Sequence, residues 1–164
     1  MCSSDLVQCL LSESACAQSP QSHHTADVFV GDRIADKATP KEGYDTFRIP
    51  ALVRLPEGDL LAFCEARRDG SKDEGKIDLV MRRSADDGKT WSPLTVIYGE
   101  EGHVTIGNPV PIAARDGKTV HLLFCRNNRT GLLHTISSDR GQTWSKPRED
   151  RKSTRLNSSH LVIS

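Results

Sequence analysis

An arginine inside an apolar stretch is the first residue of this 164-residue sequence whose chemistry stands out. Arg48 lies in residues 47–50 (FRIP), and residues 51–53 (ALV) continue the apolar run. A guanidinium stays charged in proteins, and its planar fork suits bidentate binding of a carboxylate. A lone arginine in a strand more often lies on the surface, so this pattern by itself only raises the hypothesis of an anion site.

A polar loop, residues 65–75 (EARRDGSKDEG), lies between two apolar stretches and concentrates further charged side chains. It contains Arg67, Asp69 and Asp73, a mixture of cations and carboxylates. Most loops of this composition are simply solvated, but loops at one end of a rigid scaffold also carry binding and catalytic groups. The loop is therefore the second region that could do chemistry.

An internal repeat indicates how these regions are held. Residues 84–91 (SADDGKTW) and 137–144 (SSDRGQTW) share the pattern S-x-D-x-G-x-T-W and contain both tryptophans of the chain. We call them the first box and the second box. A carboxylate that accepts backbone N–H groups and a glycine with positive φ predict a tight turn, and each tryptophan is expected to pack between sheets. The residues that match the pattern are Ser84, Asp86, Gly88, Thr90, Trp91, Ser137, Asp139, Gly141, Thr143 and Trp144.

The segments around each box read as β-strands. Four strand patterns surround the first box, at 46–55, 59–66, 77–83 and 91–98, and four surround the second, at 108–114, 119–126, 132–137 and from 143 onward. Four strands per unit, with the box between the third and fourth, are typical of a propeller blade, and repetition at this spacing indicates a repeat architecture. The predicted fold class is all-β. A β-sandwich is the alternative, but it gives no reason for the repeated box.

Composition excludes several classes of protein. Lysine plus arginine number 22 and aspartate plus glutamate number 22, a balance that argues against a nucleic-acid-binding surface. No apolar run approaches the roughly 18 residues that a membrane helix requires, so no membrane span is expected. Cys64 and Cys125 lie in apolar patterns and are expected to be free, buried thiols, with a disulfide as the alternative.

The two ends of the chain read differently from its middle. Residues 150–164 back-translate into a widely used sequencing adapter, and residues 1–6 back-translate into the reverse complement of the start of that adapter. We therefore exclude both segments from the prediction of the fold. The alternative interpretation is that they are two polar tails. Residues 7–25 resemble the remnant of a secretory signal, ending in the small residues 15–17 (ACA), followed by a linker. A polar leader or a lipid-anchored Cys16 are the alternatives. Secretion, or export to the periplasm, is expected, with residues 26–149 forming the domain.

These features together resemble the sialidase (exo-α-neuraminidase) family. The F-R-I-P segment and two boxes in the right order, which that family calls Asp-boxes, carry the resemblance over about residues 44–144. The resemblance implies about two four-stranded blades of a six-bladed β-propeller. It also implies an exo-α-sialidase that releases terminal α-linked sialic acids from sialylated glycans with retention, using no cofactor and no metal.

The resemblance assigns roles to four residues. Arg48 matches the first member of the arginine triad that binds the sialic acid carboxylate, and Asp73 matches the acid/base aspartate. Arg67 matches the second arginine of the first blade, which lines the site near the ring substituents. Asn108 lies in a segment, 107–111 (GNPVP), that matches the neighbourhood of the N-acetyl pocket.

Some of these assignments have rivals. Because the length of the polar loop at residues 65–75, which we call the acid loop, varies in the family, Asp69 and Asp78 are alternative acids. The family's tyrosine nucleophile, its glutamate partner and the other two triad arginines are expected in a part of the protein that this chain lacks, since neither Tyr44 nor Tyr98 has a matching context. The chain by itself is therefore expected to be inactive. A non-catalytic propeller that binds glycans or serves as an interaction module is the alternative function.

Overall fold

The computed structural model describes residues 25–32, 42–128 and 131–149, which form eight β-strands in two antiparallel sheets. The predicted adapter segments (1–6 and 150–164) and nearly all of the predicted signal remnant and linker (7–25) lie outside these residues. The described residues include no helix, and hence no helix that could cross a membrane. The strands are β1 Thr46–Arg54, β2 Leu60–Arg67, β3 Ile77–Ser84, β4 Thr95–Tyr98, β5 Ile106–Ala113, β6 Val120–Arg126, β7 Gly131–Ser137 and β8 Arg148–Glu149.

Each sheet is a meander of four consecutive strands, ordered β1-β2-β3-β4 in the first sheet and β5-β6-β7-β8 in the second. The same strand order and the same box after the third strand make the two sheets copies of one unit. This result confirms the all-β prediction and the four strands per unit. The first three strands of each sheet also lie within a few residues of their predicted bounds.

The hydrophobic core lies where the two sheets face each other. Strands alternate inward and outward side chains, and the inward ones of both sheets meet in one cluster. Its largest members are fully buried: Phe63, Leu61, Leu79, Ile106, Leu122 and Phe124. A cleft at the end of this interface is therefore held by a packed core on both sides.

The boxes form tight turns stabilised by their own side chains. In the second box, Asp139 accepts hydrogen bonds from the backbone N–H of Thr143 at 2.8 Å and from its hydroxyl at 2.5 Å, and Ser137 accepts the N–H of Gly141 at 2.8 Å. The hydrogen bonds from Thr143 lower the pKa of Asp139 to about 2. Gly141 has φ +81°, a conformation that costs a side-chain-bearing residue energy. The first box repeats this geometry, with Gly88 at φ +85°.

The predicted starts of the two fourth strands, at residues 91 and 143, are wrong. These strands begin at Thr95 and Arg148 instead. The box turns extend further than predicted, because Ser92 and Ser145 still bond back to Arg83 and Ile136 of the preceding strands. Prolines at 93 and 147 cannot donate to a ladder, so pairing resumes only after them.

The two tryptophans differ in their surroundings. Trp144 packs edge-on against Phe63 across the interface, with ring centroids 5.8 Å apart, as predicted. Trp91 instead donates its indole N–H to the carbonyl of Gly88 at 3.1 Å and lines a surface cleft beside Val28. The prediction that each tryptophan lies between sheets is therefore confirmed for Trp144; for Trp91 it stays a prediction, because the described residues include no second sheet on that side of the first box.

The outer face of the first sheet has a smaller core of its own. Tyr44, Ala66 and Val80 are buried there, and Phe29 packs against them from residues 25–32. Cys64 belongs to this cluster and is buried, whereas Cys125 on the second sheet is half-buried, and both thiols are free. Burial raises the pKa of the Cys64 thiol to about 12, so it behaves as a small apolar residue.

Candidate functional site

Charged side chains of the first sheet and polar side chains of the second surround a cleft of about 290 Å³ at one end of the sheet interface. Three of the four residues singled out from the sequence come from the first sheet and the loop after β2, and the fourth comes from β5. The lining residues are Arg48, Ile49, Glu65, Arg67, Asp73, Asn108 and Asn128. The structure thus brings together all four residues to which the sequence assigned roles.

A bulge in β1 positions Arg48. The register between β1 and β2 shifts between Arg48 and Ala51, and Ile49 within the bulge has φ +54°. A β-branched residue in this conformation is a strained outlier, of the kind that accumulates at functional sites. Because Arg48 pairs with Glu65 across the strands, both side chains share the face that meets the second sheet.

The Arg48 guanidinium is half-exposed, with 44% of its side chain accessible. Its Nη1 donates to the Asp73 carboxylate at 3.0 Å and to the carbonyl of Ser71 at 3.2 Å. The guanidinium thus presents a partly exposed cationic edge at the cleft, which suits a carboxylate ligand.

Arg67, by contrast, is buried and organises the loop that follows β2. Its side chain is 3% exposed, and its Nη2 pairs with Glu65 Oε2 at 2.6 Å. Its Nη1 donates to the carbonyls of Ser71 at 2.6 Å and Lys72 at 2.8 Å, and lies 2.9 Å from Asp73 Oδ1. A guanidinium this enclosed acts first as an anchor, holding the loop so that Asp73 faces the cleft.

Asp73 is the exposed carboxylate of the site. Its side chain is 74% exposed and lies between the guanidinium groups of Arg48 and Arg67. Asn128, from the turn after β6, donates its side-chain N–H to the backbone carbonyl of Asp73 at 2.8 Å. The loop is therefore tied to both sheets, while the carboxyl group itself stays exposed at the cleft.

Asn108 occupies a bulge in β5 that repeats the one in β1. The register between β5 and β6 shifts between Gly107 and Val110, and Asn108 has φ +56°, close to the value at Ile49. Its backbone N–H donates to Glu65 Oε1 at 3.0 Å, and the residue is exposed at the cleft. The bulge thereby aims an amide side chain at the opening, a use common for bulges beside sites.

The two rival acids lie elsewhere. Asp69 is exposed and does not line the cleft. Asp78 is buried on the outer face of the first sheet, where it accepts a hydrogen bond from Tyr44 at 2.9 Å and pairs with Arg68 and Lys76. Of the three candidate acids, only Asp73 lies beside Arg48.

The structure adds two residues that sequence reasoning missed, Glu65 and Asn128. Glu65 was taken as the beginning of the polar loop, but it lies within β2 and is 3% exposed. The sequence did indicate its role, because Glu65 lies two residues before Arg67, and side chains two residues apart in a strand point to the same face. Asn128 had no signal, because its contact with Asp73 joins residues 55 positions apart in the chain.

A metal centre is not formed by the part of the chain that the structure describes. Within residues 25–32, 42–128 and 131–149, no three His, Cys, Asp or Glu side chains are grouped to hold an ion. The groups that line the cleft are two guanidinium groups, the exposed carboxylate of Asp73, the buried carboxylate of Glu65 and two amides.

Comparison with known proteins shows which family the chain resembles. A family model described as a BNR repeat-like domain matches residues 58–164. An exo-alpha-sialidase of Arthroderma benhamiae is 33% identical over 144 residues, 68% of this chain and 35% of the relative. An exo-alpha-sialidase of Aspergillus fumigatus is 34% identical over 168 positions, 80% of this chain and 40% of the relative. The chain thus spans only 35–40% of the length of these curated relatives.

A solved structure agrees on the fold. A Hadza microbial sialidase superposes with a TM-score of 0.59 at 24% identity, over 65% of this chain and 26% of that one. At this identity the likeness concerns architecture alone, and it confirms the predicted partial β-propeller.

Proposed function

The chain belongs to the sialidase family through its BNR repeat-like domain, and we propose that the full-length protein is an exo-α-sialidase acting on sialylated glycans. The observation that carries the proposal is the meeting of Arg48, Arg67 and Asp73 at one cleft. Release of terminal α-linked sialic acid with retention of configuration is the reaction proposed. The ACA segment at residues 15–17 supports a secreted or periplasmic location.

Arg48 is proposed to bind the substrate carboxylate. Its half-exposed guanidinium already holds one carboxylate, that of Asp73, at 3.0 Å. A sialic acid carboxylate would compete for the same Nη1 donor. Asp73 can yield this contact at little cost, because its side chain is 74% exposed and the buried Arg67 keeps hold of its loop.

Asp73 is proposed to be the general acid. A departing glycosidic oxygen needs a proton, and a positioned carboxylic acid supplies it with a rate gain on the order of a hundredfold or more. Glu65, the other carboxylate of the cleft, cannot take this role, since it is buried and both of its oxygens are engaged. Asp73 alone among the cleft carboxylates can reach a leaving group.

The nucleophile is proposed to be a tyrosine elsewhere in the full-length protein. The anomeric carbon of sialic acid carries a carboxylate that would repel an anionic nucleophile, and sialidases use tyrosine instead. Tyr44 is unsuited, because it lies on the opposite face of the first sheet, where burial and its bond to Asp78 raise its pKa to about 12. Tyr98 bonds to Glu100, and burial raises its pKa too.

The test is to mix the full-length protein with an α-linked sialoside and to monitor the products over time by NMR. We expect free sialic acid to form, with the α anomer appearing before mutarotation. Initial release of the β anomer would contradict retention. Binding of sialylated glycan without any release would instead support the glycan-binding alternative.

A further inference from the structure

Glu65 is a buried carboxylate at the cleft that the proposed chemistry does not use. It is 3% exposed, yet both of its oxygens have partners from different parts of the chain. Its Oε2 accepts from Arg67 Nη2 at 2.6 Å, and its Oε1 accepts the backbone N–H of Asn108 at 3.0 Å. The residue therefore joins β2 of the first sheet to β5 of the second.

The ion pair between Glu65 and Arg67 connects Glu65 to the acid loop, because Arg67 also contacts that loop. The negative charge of Glu65 compensates a guanidinium that is 3% exposed, and a buried ion pair broken at one partner leaves the other charge uncompensated. The same guanidinium holds Ser71, Lys72 and Asp73 through its Nη1. A shift of Glu65 would therefore move the anchor of the loop that carries Asp73.

The hydrogen bond between Glu65 and Asn108 lies at the bulge in β5. At Gly107, a Cβ atom would overlap Glu65 Oε1, so only a glycine lets the strand approach the carboxylate this closely. The N–H that follows, at Asn108, points at the same oxygen. The conformation of the bulge and the position of Glu65 thus depend on each other.

We propose that Glu65 is a positioning residue which, through its ion pair with Arg67 and its hydrogen bond from Asn108, holds the acid loop and the β5 bulge in register. The proposal rests on the sialidase function proposed above, since it concerns how Asp73 and Asn108 are presented to the same substrate. The requirement for a carboxylate is chemical. Both partners of Glu65 are donors, and a glutamine has only one oxygen and would direct its NH₂ group at one of them.

The experiment compares Glu65→Gln and Gly107→Ala in the full-length protein, with Asp59→Asn as the matched control. Asp59 lies just before β2, with 12% of its side chain exposed, and pairs with Arg83 at 2.6 Å, the same distance as in the Glu65 pair, but it does not line the cleft. Two measurements are made on each variant. One is amide hydrogen exchange at residues 71–75 and 107–110, and the other is kcat/KM for a natural sialoside and for an activated aryl sialoside.

We expect both site variants to raise amide hydrogen exchange in the two segments together. We also expect kcat/KM for the natural sialoside to fall by roughly tenfold to a hundredfold, since displaced catalytic groups cost rates of this order. The fall for the activated aryl sialoside should be smaller. Asp59→Asn should do neither, although it can lower the melting temperature. Equal losses on both substrates, or exchange that rises in neither segment or in only one, would overturn the proposal. If Glu65→Gln does not fold, Gly107→Ala decides, because it leaves the charge in place. If the wild-type protein releases no sialic acid, the proposed function fails, and the exchange measurement still decides the role of Glu65.

Discussion

Gly141 and Gly88 occupy the same position in the two boxes, yet their replacement by alanine should have different consequences. Both have left-handed φ values, +81° and +85°, so an alanine costs about 1–2 kcal/mol at either position. Their surroundings differ. A Cβ on Gly141 would lie 2.9 Å and 3.1 Å from the two methyl carbons of Leu61, whereas a Cβ on Gly88 would lie 3.5 Å from Leu60 Cδ1.

The difference arises because the second box packs onto the first sheet. Leu61 is 0% exposed in the core between the sheets and cannot move into solvent to make room. Forcing an extra methyl group into a packed core typically costs about 1–3 kcal/mol. We therefore expect Gly141→Ala to destabilise by about 2–5 kcal/mol and Gly88→Ala by only about 1–2 kcal/mol.

The assay is urea unfolding of the full-length protein, followed by circular dichroism, with Gly88→Ala as the matched control. A third variant, Leu61→Ala with Gly141→Ala, tests the contact directly. Because the smaller side chain leaves room for the new methyl group, the double variant should be more stable than the sum of the two single effects predicts. Equal destabilisation by the two glycine replacements, or strict additivity with Leu61→Ala, would refute the proposed packing of the second box.

Further predictions concern the cleft and the boxes of the full-length protein. Arg48→Ala should raise KM more than it lowers kcat, with a loss of roughly 2–4 kcal/mol in kcat/KM for a sialoside, because it removes a charged contact present in both ground and transition states. Arg54→Ala, on the same strand but paired with Asp87 outside the cleft, is the control and should leave the kinetics unchanged. Asp73→Asn should lower kcat/KM on the order of a hundredfold for natural sialosides and less for activated aryl sialosides, and equal losses would exclude it as the acid. Hydrogen bonds from Thr143 lower the pKa of Asp139 from 3.8 to about 2, so its contribution to stability is present above pH 3.8 and is lost as the pH falls to about 2. Melting temperatures between about pH 2 and pH 5 should therefore fall less steeply for Asp139→Asn than for the wild type, and parallel curves would contradict this.

The features that the sequence determined by itself are local ones. The two boxes, the first three strands of each sheet and the strand position of Arg48 follow from turn residues and from alternation of side chains, which act over a few neighbouring residues. The same local reasoning misplaced the starts of β4 and β8. It began these strands at Trp91 and Thr143, within the boxes, although the serine and proline after each tryptophan still precede the strand.

Only the tertiary structure decided which charged groups meet. The sequence assigned the acid role to Asp73 but left Asp69 and Asp78 as rivals, whereas strand alternation and the loop anchor place Asp73 beside Arg48 and Asp78 on the opposite face. The link from Glu65 to Asn108 spans 43 positions and depends on a bulge and on the absence of a side chain at Gly107. Such contacts form through space after the two sheets have packed, so they leave no periodic pattern along the chain from which they could be read.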